Sequence, residues 1–292
     1  MVAVDVAAWQ SHRREAATPS GPVSYLDVGE GRAAVFVHGL LANGLLWRRV
    51  ISAVASDQRR CIAIDLPGHG GTPAAPAGAD VSLTGLAQRV IELCDYLGLE
   101  RFDLVANDTG GAVAQIAAAH MADRLSTFTL TNCDTEGNTP PKVFSPITFA
   151  ARLGVLPRVG PLLATRRRHV RGVLKVGYRH PGRLPDDVVD AYSKPVLGTA
   201  DAARGLARII VRLSSDDLAA VRPQLAELSV PTLIVWGSAD VLFPPKWAYR
   251  LAELIPGTTG VHMIDGARMH LPDEYADEFV TLLCRHWATY GA

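Results

Sequence analysis

The sequence predicts an α/β fold: a mostly parallel sheet with helices on both faces and one helical insertion. Short continuous apolar runs recur at residues 33–38, 61–65, 102–105, 126–131, 232–236 and 259–264, the pattern of strands buried on both faces of a parallel sheet. Between the runs, apolar residues fall at helical spacing, so strand and helix alternate. The alternation then stops. Residues 137–228 hold helical patterns and several prolines but no buried-strand run, which predicts a core of residues 1–136 and 229–292 and a helical cap of residues 137–228.

Taken in order, residues 13–18 and 22–28 read as two short strands around the Pro19-Ser20-Gly21 turn, a leading hairpin. Strand 33–38 is followed by a helix at 45–55, strand 61–65 and a helix at 83–97. Phe102, Leu104 and Val105 open the next strand, which meets Gly110 and Gly111 and passes into an Ala-rich helix at 112–119. Strand 126–131 precedes the insertion. After it come strand 232–236, a helix near 247–254, strand 259–264 and a closing amphipathic helix at 274–289, which brings the candidate strands to eight. No internal repeat or low-complexity segment interrupts the chain.

The 292 residues suffice for a substantial core. Lys plus Arg (29) balances Asp plus Glu (29), so no large net field draws nucleic acid or an anionic membrane, and a small-molecule substrate is the expected partner. Cys61, Cys94, Cys133 and Cys284 are scattered, with no spacing that suits zinc; buried free thiols, no metal, no cofactor and a reducing cytoplasm are expected. No apolar run approaches the roughly 18 residues of a membrane span. A monomer or homodimer is expected. The run Arg166-Arg167-Arg168-His169, with Arg171, reads as a solvated helix face.

Five sites in the pattern carry chemistry. Within residues 102–115, F-D-L-V-A-N-D-T-G-G-A-V-A-Q, a sharp strand-to-helix turn puts Asp108 forward, and the small Ala106 and Gly110 flank it where a larger side chain would clash. His38-Gly39-Leu40 ends strand 33–38. Trp236-Gly237-Ser238-Ala239-Asp240 follows strand 232–236, and Asp134 follows strand 126–131. Gly266-Ala267-Arg268-Met269-His270 lies after the last strand, just before Pro272-Asp273-Glu274 opens the final helix.

This arrangement resembles the α/β-hydrolase superfamily, whose nucleophile elbow reads small-x-nucleophile-x-small, with Asp here where Ser is most frequent. The resemblance covers nearly the whole chain outside the insertion and implies an eight-stranded, mostly parallel α/β-hydrolase sheet. It implies Asp108 as nucleophile, His270 as base, Asp240 as the acid that orients it, and the Leu40 and Thr109 amides as the oxyanion hole. Asp134 occupies the other position from which related enzymes supply the acid and ranks second. The loop Asp65-Leu66-Pro67-Gly68-His69-Gly70 matches a superfamily loop and serves shape.

A carboxylate nucleophile selects the reaction. It needs no base near neutral pH, and the helix that starts after Asp108 should favour its charged form. It suits attack on an sp³ carbon bearing a leaving group, giving an alkyl ester that a His270-activated water then hydrolyses. Ordinary ester hydrolysis is disfavoured, since it would pass through an anhydride. Two families of the superfamily use this chemistry. Dehalogenases usually follow the nucleophile with Trp, where this chain has Thr109, and Leu40 stands in place of a halide-binding Asn; Asn43, Trp47 or Trp247 are the substitutes available. Epoxide hydrolases use cap tyrosines as proton donors, and Tyr178 and Tyr192 are candidates. A small hydrophobic epoxide is therefore the favoured substrate. The alternatives are a haloalkane or haloacid dehalogenase, and a non-hydrolytic lyase, isomerase or ligand-binding protein on the same fold.

Overall fold

The computed structural model describes residues 6–291. Eight strands form one sheet: β1 (Arg13–Thr18), β2 (Gly21–Val28), β3 (Arg32–Val37), β4 (Arg59–Ile64), β5 (Phe102–Asp108), β6 (Leu125–Cys133), β7 (Thr232–Gly237) and β8 (Thr258–Ile264). Their order is β1-β2-β4-β3-β5-β6-β7-β8. The β1/β2 hairpin closes on Gly21 at φ +119°, and β2 runs antiparallel to β4; every other pairing is parallel. The α/β fold and its eight-stranded, mostly parallel sheet are as the sequence predicts.

The apolar runs explain why the sheet is covered on both sides. Val35 and Val37 of β3, Ile62 and Ile64 of β4, and Leu104 and Ala106 of β5 face one layer, with helices Leu83–Tyr96, Thr109–His120 and Lys246–Leu254. Ala34, Phe36, Cys61, Ala63 and Val105 face the other, against helices Arg48–Val54 and Ala276–Tyr290. Successive side chains of a strand point to opposite faces, so a strand buried twice has no room for a polar alternation.

Three expectations need adjustment. The helix expected at 45–55 is a 3₁₀ turn, Gly44–Trp47, followed by the α-helix Arg48–Val54, because the Asn43 side chain accepts from the Leu45 amide and caps the tight turn. The last helix is split into Leu271–Glu274 and Ala276–Tyr290 by Tyr275 at φ −120°. Cys61, Cys94 and Cys133 are free and buried, whereas Cys284 is exposed.

Between β6 and β7 the described residues form helices and no strand. The longer helices are Ser145–Arg152, Leu156–Ala164, Arg167–Leu174, Asp186–Leu197 and Ala200–Arg212. After β3 the chain forms β4 on one side and β5 on the other, so the strand order reverses between β3 and β5. In open parallel sheets a crevice forms at the carboxyl ends of strands at such a point.

Candidate active site

Asp108 ends β5 at that crevice. Its backbone has φ 56° and ψ −137°, a conformation that costs a non-glycine residue on the order of 1–3 kcal/mol and recurs at functional sites. Close packing enforces it. A Cβ on Gly110 would lie 2.2 Å from the His38 carbonyl oxygen, and one on Gly39 would lie 2.0 Å from Asp108 Oδ2. The vacancy at Gly39 lets the Leu40 amide donate to Asp108 Oδ2 at 2.9 Å. The preceding loop is fixed by His38, whose Nε2 accepts from the Leu66 amide at 3.0 Å while Nδ1 lies 2.7 Å from the Gly39 carbonyl oxygen.

A cavity of about 220 Å³ opens over this point. Its polar side chains are Asp108, Thr109, Asp134 and His270; its walls are apolar, among them Leu40, Phe144, Val173, Leu213, Phe243 and Met269. The helical stretch between β6 and β7 supplies much of the roof. Thr109 starts the helix after Asp108, and its hydroxyl donates to Asp134 Oδ2 at 3.0 Å, while Asp134 Oδ1 has no partner. Asp134 is 1 % exposed, and burial pushes its carboxyl up to about 7. Burial, and then the negative charge of Asp134, hold the Asp108 carboxyl well above the usual carboxylate range, against the pull of the Leu40 amide. The helix start was expected to keep Asp108 charged. Its effect is outweighed because two buried carboxyls share one small dry space, and such a pair titrates as a unit.

His270 is buried at the cavity wall with no hydrogen-bond partner on either ring nitrogen. Its amide donates to the Gly177 carbonyl at 2.9 Å, and its ring meets the Tyr178 ring edge-on, centroids 4.5 Å apart. Burial pushes the imidazole down to about 3, so it is neutral at pH 7, as a base must be. The hydrogen bond expected from His270 to Asp240 is not formed. Asp240 Oδ1 accepts from the Leu242 and Phe243 amides at 2.8 and 3.0 Å, and Oδ2 from Asn132 Nδ2 at 2.7 Å. Asn132 also accepts from the Gly237 amide at 2.7 Å, joining β6 to β7 beneath the site. Sequence reasoning missed Asn132; an Asn next to the last residue of a strand otherwise built of apolar, Ser and Thr residues was its signal.

The two candidate proton donors lie elsewhere. Tyr178 donates to Asp273 Oδ2 at 2.8 Å, and Asp273 pairs with the buried Arg48 at 2.8 Å. Tyr192 stands against the same group, 3.3 Å from Arg48 Nη1 and 3.5 Å from the Tyr178 hydroxyl. Neither tyrosine lines the cavity: the Tyr178 hydroxyl donates to the carboxylate of the buried ion pair, and the Tyr192 hydroxyl accepts from its arginine. The substitutes for a halide cradle are also outside. Asn43 donates to the Ala191 carbonyl, Trp47 packs on Phe36 in the core, and Trp247 borders a different surface groove. Among the described residues no group of three or more His, Cys, Asp or Glu is arranged to hold a metal ion.

Residues 34–275 match the family model described as the alpha/beta hydrolase fold. The chain is 30% identical over 249 residues to haloalkane dehalogenase 2 of Mycobacterium tuberculosis, covering 81% of each chain. It is 26% identical over 209 residues to 3-oxoadipate enol-lactonase 1 of Acinetobacter baylyi, covering 71% of each. Among solved structures, the epoxide hydrolase CorEH superposes with a TM-score of 0.74 at 18% identity, over 95% of this chain and 98% of that one. An esterase from Thermogutta terrifontis superposes with a TM-score of 0.74 at 22% identity, over 95% and 98%.

Proposed function

The chain belongs to the α/β-hydrolase fold family and is a hydrolase, and from that premise we propose that it opens a small apolar epoxide through an ester on Asp108. The observation that carries the reading is that Asp108, Asp134 and His270 line one apolar cavity of about 220 Å³, with the Leu40 amide already on Asp108 Oδ2. Oδ1 is then the attacking atom. It forms a bond to an epoxide carbon as the ring C–O bond breaks; the two carboxyls share one proton, and in the reactive arrangement Asp134 holds it and gives it to the opening oxygen.

Water next adds to the ester carbonyl and His270 takes its proton. The charge that develops on Oδ2 faces the Leu40 amide, with the Thr109 amide as second donor. Collapse breaks the Cγ–Oδ1 bond, the diol leaves carrying Oδ1 and the proton held by His270, and the proton on the water-derived oxygen of Asp108 returns to Asp134. Asp240, its oxygens held by Asn132 and two amides, shapes the loop that ends in Phe243 at the cavity wall; as the acid partner of His270 it ranks first only if the ring turns toward it on substrate binding.

Alkyl halide hydrolysis is the second reading, favoured by the 30% identity to a haloalkane dehalogenase. It stands second because the cavity lining offers no indole or carboxamide N–H to a departing halide. A single turnover in heavy-oxygen water tests the shared chemistry: label should enter the Asp108 carboxylate, and label in the product alone would remove the ester. Asp134→Asn separates the two readings. It should lower epoxide turnover by on the order of a hundredfold or more and leave halide turnover, which needs no proton, within a few-fold. Conversion of halides alone would sink the epoxide reading.

A further inference from the structure

Charge cancels over the whole chain but not along it. Residues 137–185 contain ten Lys or Arg and no Asp or Glu, and residues 137–228 carry 15 basic against 7 acidic side chains. Among the described residues, only Arg167 and Arg171 of those ten form ion pairs, with Asp186 and Asp190. Lys142, Arg152, Arg158, Arg166 and Arg168 are exposed without a carboxylate partner. Interleaved with them are large apolar side chains turned to solvent: Val143 is 61% exposed, Phe149 63%, Leu153 60% and Leu162 68%. Such clustering is unusual on a soluble surface unless something covers it.

The clustering has a structural origin. Helices Ser145–Arg152 and Leu156–Ala164 meet at 108°, and their inner sides, at Ala151 and Gly160, pack toward helix Ala200–Arg212. Their outer sides have no partner. Among the described residues no single helix is long and apolar enough to cross a membrane. Beside the pair runs a groove of about 960 Å³ with Arg152, Arg158, Arg204, Arg208 and Arg212 on its walls and Asp80 as its one carboxylate. Arg208 is committed to the Ala75 and Pro76 carbonyls and Arg204 pairs with Asp201, which leaves Arg152, Arg158 and Arg212 to face an anion.

We propose that this face docks on an anionic lipid surface, with Phe149, Leu153 and Leu162 entering the headgroup layer and the arginines meeting phosphate. Two short helices with apolar residues protruding between cations are suited to lie in an interface rather than to span it. An acidic protein partner would be met by the arginine groove alone and would leave Phe149, Leu153 and Leu162 uncovered, whereas a lipid surface takes up both the cations and the protruding apolar side chains. Val143 and Ile147 are exposed on this face and also line the catalytic cavity, so the cavity mouth would open toward the bilayer. The substrate class that follows is an apolar molecule dissolved in lipid. That last step rests on the Asp108 chemistry, whereas docking does not.

Co-sedimentation with vesicles of phosphatidylcholine alone, and of phosphatidylcholine mixed with phosphatidylglycerol, tests the docking. The protein should partition onto the mixed vesicles at low salt, much less onto the neutral ones, and be released by high salt. Phe149→Ser with Leu162→Ser, and separately Arg152→Ser with Arg158→Ser, should each lower partitioning on the order of tenfold with unchanged melting, since all four side chains are exposed. Asp108→Asn should bind like the parent, so a failure of the hydrolytic reading leaves this result legible. No partition onto anionic vesicles, or partition indifferent to both double variants, overturns the proposal. So does a dimer that the Phe149/Leu162 variant dissociates, because the face would then bury a second copy of the chain.

Discussion

Replacing Asp134 by Asn should stabilise the protein, and by an amount that depends on pH in a defined direction. Asp134 is 1 % exposed, receives the Thr109 hydroxyl on Oδ2, and has no partner on Oδ1. Burial pushes its carboxyl up to about 7, whereas in the unfolded chain an Asp titrates near 3.9. Between those two values the folded state holds the proton that the unfolded state has lost. Stability therefore falls as pH rises from about 4 to about 7, and the full loss, about 4 kcal/mol at roughly 1.4 kcal/mol per pH unit, is present above that window. Asn can still accept the Thr109 hydroxyl and carries no charge. Urea unfolding of parent and variant at a series of pH values gives the difference directly from the midpoints. It should be near zero at pH 4 and reach several kcal/mol at pH 8, with any downward move of the neighbouring Asp108 adding to it. A variant no more stable than the parent at pH 8, or a difference flat with pH, would refute the idea that a costly buried charge sits beside Asp108.

Three further substitutions probe separate parts of the site. His270→Gln should still allow Asp108 to be alkylated but not released, so intact-protein mass spectrometry should find a persistent adduct of substrate mass; a folded, substrate-binding variant without one would give His270 another role. Tyr178→Phe should cost about 1–3 kcal/mol of stability by taking a donor from the buried Asp273, with epoxide turnover within a few-fold of the parent. A loss of turnover near a hundredfold at unchanged stability would return that phenol to the chemistry. Gly39→Ala drives a methyl group onto Asp108 Oδ2 and should lower kcat/KM on the order of a hundredfold; parent-like kinetics would mean that the Leu40 amide contact is dispensable.

How legible these features were follows from how local they are. Strands such as β3 and β5 could be read because each residue between Ala33 and Val37, or between Phe102 and Ala106, is apolar or small enough to be covered on either face; Asp103 is the exception, buried against Arg59 and the Thr127 hydroxyl. The turn at Asp108 was legible because its steric demands fall on Ala106 and Gly110, two residues away. Tyr178 and Tyr192 were not. Their hydroxyls turn toward an ion pair between Arg48 and Asp273, residues far apart in the chain, and no spacing announces such a meeting. The ionisation of Asp108 was misjudged for the same reason: the helix after it is local, while the opposing Asp134 arrives from another strand. The charge separation in residues 137–185 was hidden by summing over the whole chain.

The ties around His270 have a mechanical consequence. The loop that carries it is stitched to residues 175–180 by the bond from its own amide to Gly177, by Tyr178 on Asp273, by Glu274 accepting the Arg179 and His180 amides at 2.7 and 2.6 Å, and by Arg268 donating to the Lys175 carbonyl at 2.6 Å. On the opposite rim, the hydrogen bonds found for residues 142–165 run within that stretch or to the adjoining Pro141 and Arg166, and none reaches another part of the described molecule. One wall of the chamber is riveted and the other is leaning. Traffic in and out can part the leaning wall while the imidazole keeps its station over Asp108, so access and chemistry are decoupled, and a slow gate would limit throughput without detuning the reaction it guards.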